Sequence, residues 1–291
     1  MQKHYGLQCH MPMSCNLMFF NNYSGRFVRN FYYIILAIAT ILVSCEIRIK
    51  PNEDTNGEEQ SVGVQRYDRL QSRYLTTGDF SALQQMNIDY PMETRTLVED
   101  VLKLGEVNDP EINSKFLNFY QDTILQSLIA DVELQYSCID DINTQFKSAF
   151  MRLASMLPDL KMPTIYTQIG ALDQSIVIGD NAIGISLDKY LGADYPLYRK
   201  YYTPSQRRMM TRAYIVPDAL CFYILSHYPL KDYENSTQAE RDAHMGKIMW
   251  VVNKVMGRQV FKAKYAAEAD RYMRSHASVK VSQLLTSKLY Q

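Results

Sequence analysis

Two short apolar runs, residues 175–178 and 182–187, are separated only by Gly179-Asp180-Asn181. Those three residues interrupt a helix and tolerate positive φ, so the stretch reads as two strands joined by a tight turn. Asp188 then caps a short helix that Gly192 ends. Tyr190, Tyr195, Tyr198, Tyr201 and Tyr202 crowd the residues from there to the next helix start. Tyrosine buries a large ring and keeps a polar tip, which suits a core or a groove wall. Gly179, Asp180, Asp188, Tyr190, Gly192, Tyr195 and Tyr198 are accordingly the candidate groove and structural residues.

Helical periodicity surrounds this stretch. Residues 94–104 place Leu97, Val101 and Leu104 on one face and stop at Gly105. A helix is predicted over 110–136, with Pro110 in its first turn. Over 140–157, Ile142, Phe146, Ala149, Phe150, Leu153 and Leu157 recur at steps of three and four, and Pro158 ends the pattern. Residues 162–169 read as an edge strand after Pro163.

Downstream, Thr203-Pro204-Ser205-Gln206 and Thr237 with Glu240 are capping-box signatures. The first opens a helix carrying Met209, Met210 and Tyr214, with a kink or restart expected near Val216 ahead of Pro217. Residues 217–228 are apolar almost all round and predict a buried helix. The helix after Thr237 is expected to end at Gly257 and to bury Trp250. Two further helical pieces are predicted over 264–274 and 278–289. The class is α+β, predominantly helical with a small mid-chain β-sheet.

The amino terminus is built differently. Arg26 and Arg29 precede an apolar run, residues 31–43, that ends at Ser44-Cys45. A basic region, a short apolar region and a small residue are the parts of a secretory signal. The run is shorter than the ~20 residues of a membrane span. Leu42-Val43-Ser44-Cys45 resembles a bacterial lipobox, which makes Cys45 the lipidated first residue of the mature chain, carrying palmitate-type acyl chains. An ordinary secretory signal with a chance cysteine is the plain alternative. Met13 or Met18 would give a start of more usual length. The division is 1–44 signal peptide, 45–63 polar tether and 64–291 a single domain.

Lys and Arg together number 31, as do Asp and Glu. That balance gives no electrostatic footprint for nucleic acid. No phosphate-binding glycine loop or nucleophile elbow is present. His227, His244 and His276 are dispersed and read as surface or capping residues; no cofactor is expected. Asp180, Asp188 and Asp194 are close in sequence but fit no calcium-loop spacing. Lys200, Arg207, Arg208 and Arg212 form a basic surface that reads as a solvated helix face. Cys138 and Cys221 read as independent buried thiols.

The order I-V-I-G-D, then I-S-L-D-x-Y-L-G-x-D-Y-P-x-Y, resembles the signature of the gliding-motility lipoprotein GldB family. Leu157-Pro158 with Pro163 and Ile165, residues 214–225, Met245-Gly246-Lys247 and the closing Lys288-Leu289-Tyr290 are similar to further family features. The segment after Gly257 departs from them. The resemblance implies a membrane-anchored accessory of the gliding and secretion machinery, with no established catalytic activity. It implies an envelope protein as partner and a lipid anchor, with the outer membrane the expected location.

A fainter likeness is to zinc peptidases of the gluzincin type, on the order sheet, helix, loop and second helix. Those proteins carry His-Glu-x-x-His on the first helix. Here that helix reads Val216-Pro217-Asp218-Ala219-Leu220-Cys221-Phe222, and Met245 stands at the third ligand's place. The likeness implies a zincin-like arrangement without the metal motif. The alternatives are an envelope hydrolase near Asp188 and the tyrosines, or a lipoprotein whose tyrosine-rich groove holds a glycan or peptide.

Overall fold

The strand after Pro163 lies inside the sheet, not at its edge. The computed structural model describes residues 63–287, all within one unit, Gln60–Gln291. Strand β1 is Val64–Gln65, β2 Thr164–Gln168, β3 Ile176–Ile178 and β4 Ala182–Ser186, in the order β1-β2-β4-β3. β2 pairs in parallel with β1 and with β4, while β3 runs antiparallel to β4 at the edge. Pro163 precedes the ladder, so every β2 residue keeps its N–H for pairing. Thr164 donates from N to the carbonyl of Asn181 at 2.9 Å.

Helix α1 is Tyr67–Thr77 and packs on β2; α2 is Phe80–Asp89. Helix α3, Pro91–Arg95, runs into a π-helical turn, Thr96–Val101. The wider turn carries Leu97, Val98 and Val101 together into the core. The helix expected over 110–136 is two: α4, Ile112–Phe119, and α5, Thr123–Gln135. Asp122 restarts the chain by accepting from the N–H of Ile124 at 2.7 Å. Helix α6, Asp140–Met156, buries the periodic face read from sequence.

Helices α7, Pro196–Tyr201, and α8, Pro204–Arg207, are short. The Thr203–Gln206 capping box forms, but the expected longer helix stops after one turn. Gly192 N–H donates to the carbonyl of Met210, and Leu191 bridges Thr211, which draws the chain out of helix. The helix α9, Ile215–His227, starts just before Pro217, so of the kink or restart expected near Val216 it is the restart that occurs. Helix α10, Gln238–Met256, has the Thr237–Glu240 capping box and ends at Gly257 in the left-handed conformation. Helices α11, Lys264–Ser275, and α12, Val281–Thr286, complete the described chain.

α9 packs on β3 and β4, and α10 packs on α9. The sheet–helix–helix order of the zinc-peptidase likeness is thus present. Trp250 is buried, as expected. Cys138 and Cys221 are free, but Cys138 is exposed because it precedes α6 outside the core. His227 and His276 are exposed, whereas His244 is buried and its Nε2 pairs with the Tyr228 carbonyl at 2.8 Å. The lipobox with Cys45, the tether and Lys288-Leu289-Tyr290 lie outside the described residues.

Candidate functional site

Between β2 and β3 the chain makes a loop, residues 169–173, with two consecutive residues at positive φ: Ala171 at 51° and Leu172 at 66°. L-residues pay roughly 1–2 kcal/mol each for that conformation. Side chains from four regions hold it. Gln71 on α1 accepts from the N–H of Ile169 at 2.8 Å and donates to its carbonyl at 2.7 Å. The Tyr120 hydroxyl donates to the same carbonyl at 2.6 Å. Asp188 accepts from the N–H groups of Gly170, at 2.8 Å, and Leu172, at 2.6 Å. The carbonyl of Leu172 accepts from Lys189 Nζ and from the Tyr202 hydroxyl, both at 3.1 Å.

Asp188 therefore caps no helix. It lies in a single turn, Leu187–Lys189, and is wholly buried. Burial pushes its carboxyl upward, while the two backbone N–H bonds and Lys189 pull it back. Gly170 is a close-approach glycine: a Cβ there would lie 2.7 Å from the Ser186 hydroxyl.

The tyrosines extend the network. Tyr198 is buried on α7, and its hydroxyl donates to the Asp188 carbonyl and accepts from the N–H of Leu191 at 3.0 Å. The carbonyl of Tyr190 accepts from the Tyr136 hydroxyl at 2.6 Å and from Gln135 at 3.3 Å. Tyr190's own hydroxyl donates to Asp218 Oδ2 on α9 at 3.1 Å. Burial raises the Asp218 carboxyl to about 7, with the Tyr190 bond acting against the rise. Cys221, one turn further on, is pushed up by burial and then by Asp218.

Of the candidates, Asp188, Tyr190, Gly192 and Tyr198 come together in this buried hub. Gly192 has φ +118°, which favours glycine, and its carbonyl accepts from the N–H of Tyr195. Gly179 and Asp180 do not join. They are at the far end of the β3–β4 hairpin, and none of Gly179, Asp180 and Asn181 has positive φ, contrary to the sequence reading. The Gly179 N–H donates to the Ala182 carbonyl, which closes the turn without a left-handed residue. Asp194 is exposed and pairs with Arg199 at 2.9 Å, apart from buried Asp188, which argues against a shared cation site. Arg212 is not a free surface charge but pairs with Asp141 and the Cys138 carbonyl.

Sequence reasoning missed Gln71, Tyr120, Tyr136, Ala171, Leu172 and Asp218. Only Gly170, directly after the strand predicted over 162–169, offered a local signal.

Tyr195 stands apart from the buried tyrosines. It is half-buried, and its hydroxyl donates to Asp131 Oδ2 at 2.8 Å. With Pro196 and Leu197 it faces α5 across an open groove of about 650 Å³. Ile124 and Leu134 line the α5 side and are 46% and 79% exposed. The tyrosine-rich groove is thus an aliphatic groove with one tyrosine. Among the described residues, no three His, Cys, Asp or Glu side chains are grouped to hold a metal ion. Among the same residues, no helix is long and apolar enough to cross a membrane.

The model of the family described as gliding motility protein GldB matches residues 49–268. The chain belongs to the GldB family. The match spans β1 to the first turn of α11, so the hub and the groove both lie inside the GldB region. It also passes Gly257, where the sequence departed from the family pattern. No curated protein and no solved structure matches the chain.

Proposed function

We propose that the mature chain is a non-catalytic, lipid-anchored component of the gliding envelope machinery that holds a protein partner in the groove between α5 and the Tyr195–Leu197 segment. The observation that carries this reading is the groove's chemistry. Ile124 and Leu134 leave large aliphatic side chains exposed in it, and its polar centre, Asp131 with Tyr195, is already paired. Exposed aliphatic side chains in a concave surface favour apolar contact over proton transfer. In the buried hub, both oxygens of Asp188 and the hydroxyls of Tyr136 and Tyr198 are engaged with backbone groups, so they hold structure. Cys45 supplies the anchor, and the outer membrane is the proposed location.

Two measurements test the reading. Cys45→Ala should abolish acyl labelling and release the protein from membranes. Labelling that survives the change rules the anchor out. A photo-crosslinker placed at Leu134 should capture one defined envelope protein, and Leu134→Asp should lose it while melting like the parent. Equal capture of that protein from position Phe222, an exposed site on α9 outside the groove, would remove the groove from the reading.

A further inference from the structure

α10 and α11 run in the same direction. Gly246 lies against Tyr265 so closely that a Cβ there would be 2.4 Å from the Tyr265 Cβ. One turn on, Trp250 Nε1 donates to Asp270 Oδ1 at 2.9 Å, and Lys254 Nζ reaches the same carboxylate at 2.9 Å. The segment joining the helices must therefore double back. Asn253 pins it, with Oδ1 accepting from the N–H groups of Val260 and Phe261. Between the two helices and this returning segment lies a basin of about 590 Å³.

The basin's charged lining is strongly one-sided: Lys254, Arg258, Arg271 and Arg274 against Asp270. Basic residues near a helix C-terminus are ordinarily explained by the helix dipole. That explanation is used up here by other groups. Arg152, on α6, donates to the Val255 carbonyl in the last turn of α10 at 2.8 Å. Lys254 and Arg274, the latter at 2.5 Å, are both paired with Asp270, whose carboxyl they and Trp250 hold down at about 2. Among the described residues, the Arg258 side chain reaches only the Ala213 carbonyl, at 3.4 Å, and the Arg271 side chain only Glu268, at 3.8 Å. Each guanidinium has five N–H donors in a planar fork, so most of their donor capacity faces the basin or solvent.

We propose that this basin binds a phosphate group, with Arg258 and Arg271 as its principal donors. Phosphate matches two guanidinium forks better than a single carboxylate does, because it offers more acceptor oxygens and more charge. The basin exceeds a bare phosphate in volume, which leaves room for the organic group that carries it. That carrier is either a soluble phosphomonoester or a phospholipid headgroup. This site is on the α10–α11 side and is independent of the α5 groove and its protein partner.

The test uses the mature chain carrying Cys45→Ala, so that the proposed anchor adds nothing to vesicle binding, at fixed ionic strength. Inorganic phosphate, glycerol phosphate, and vesicles of phosphatidylglycerol or phosphatidylcholine are titrated by calorimetry. Emission from Trp250, the chain's single tryptophan, reports locally from the basin wall. Saturable binding is expected. It should fall at least tenfold in Arg258→Gln/Arg271→Gln and be unchanged in Lys200→Gln/Arg208→Gln, a matched loss of two exposed cations elsewhere. Both basin arginines are exposed, so the double variant should fold, which circular dichroism checks. Binding of glycerol phosphate alone identifies a soluble ligand, and binding of the vesicles identifies a headgroup. No binding by any probe, a response equalled by chloride, or equal affinity in the double variant overturns the site.

Discussion

Oδ2 of Asp188 accepts the N–H of Leu172 at 2.6 Å, and Leu172 is held at φ 66°. A buried carboxylate and a strained backbone thus stabilise one another. The carboxylate gains two donors in place of water, and the loop gains an acceptor that its own conformation cannot supply. Strain of this kind persists only where the surroundings over-determine it.

Asp188→Asn tests that pairing. The amide can accept one of the two N–H groups but turns its NH2 toward the other. A loss of about 1–3 kcal/mol in urea unfolding is expected. Ala171→Gly should recover up to about 1 kcal/mol, because glycine adopts positive φ without the Cβ penalty. Stability unchanged by both substitutions would mean that the loop is neither strained nor held.

Tyr195 and Tyr198 separate core from groove. Tyr198 is fully buried, so Tyr198→Ala should cost about 3 kcal/mol or more, with partner recovery falling only with the folded fraction. Tyr195→Ala should cost about 1 kcal/mol and weaken partner recovery in a protein that remains folded. Thermal melts paired with crosslinking yield distinguish the two. The reverse pattern would place Tyr198 in the groove.

The hairpin turn should tolerate change. Gly179 is exposed, lacks positive φ, and an added Cβ would meet its nearest neighbour, Ala182 Cβ, at 3.7 Å. Gly179→Val is expected to alter stability by about 0.5 kcal/mol or less. A loss above about 1.5 kcal/mol would show that the turn requires a glycine conformation.

Asp218 sets a pH dependence. Its carboxyl is raised from 3.8 to about 7 in the folded protein. Across that window the folded state binds more protons than the unfolded state, so stability falls as pH rises. The slope is at most about 1.4 kcal/mol per pH unit. Its contribution is full below about pH 4, the unfolded value, and is lost once pH passes about 7. Asp218→Asn should flatten this part of the stability profile, and Tyr190→Phe should extend the fall to higher pH by removing the bond that favours the carboxylate. A wild-type profile that rises from pH 4 to 7, unaltered in Asp218→Asn, would contradict the burial of this group.

Much of the architecture was legible locally. The hairpin, α6, the two capping boxes and the Gly257 stop each depend on residues within a turn or two of one another. Hydrophobic period and side-chain capping act over that range, so a linear reading captures them. The breaks in the predicted helices were legible only afterwards. Asp122 is a sound N-cap, but it sits inside a run whose apolar spacing also suits one continuous helix. Ahead of Pro217, the pull came from Met210 and Thr211 pairing with Gly192 and Leu191, partners on a different segment.

The sequence by itself determined the helical α+β class, the family signature, the apolar run ending at Cys45, and which tyrosines crowd the central stretch. Tertiary structure alone decided what those residues do. It set β2 inside a mixed sheet by bringing β1 beside it from the start of the described residues, about a hundred residues away in sequence. It made Asp188 a clamp on Leu172 rather than a helix cap, and it divided Tyr198 from Tyr195. The physical reason is the same in each case. A buried polar group must find a partner, and here the partner that meets the geometry comes from a distant segment that folding alone brings within reach.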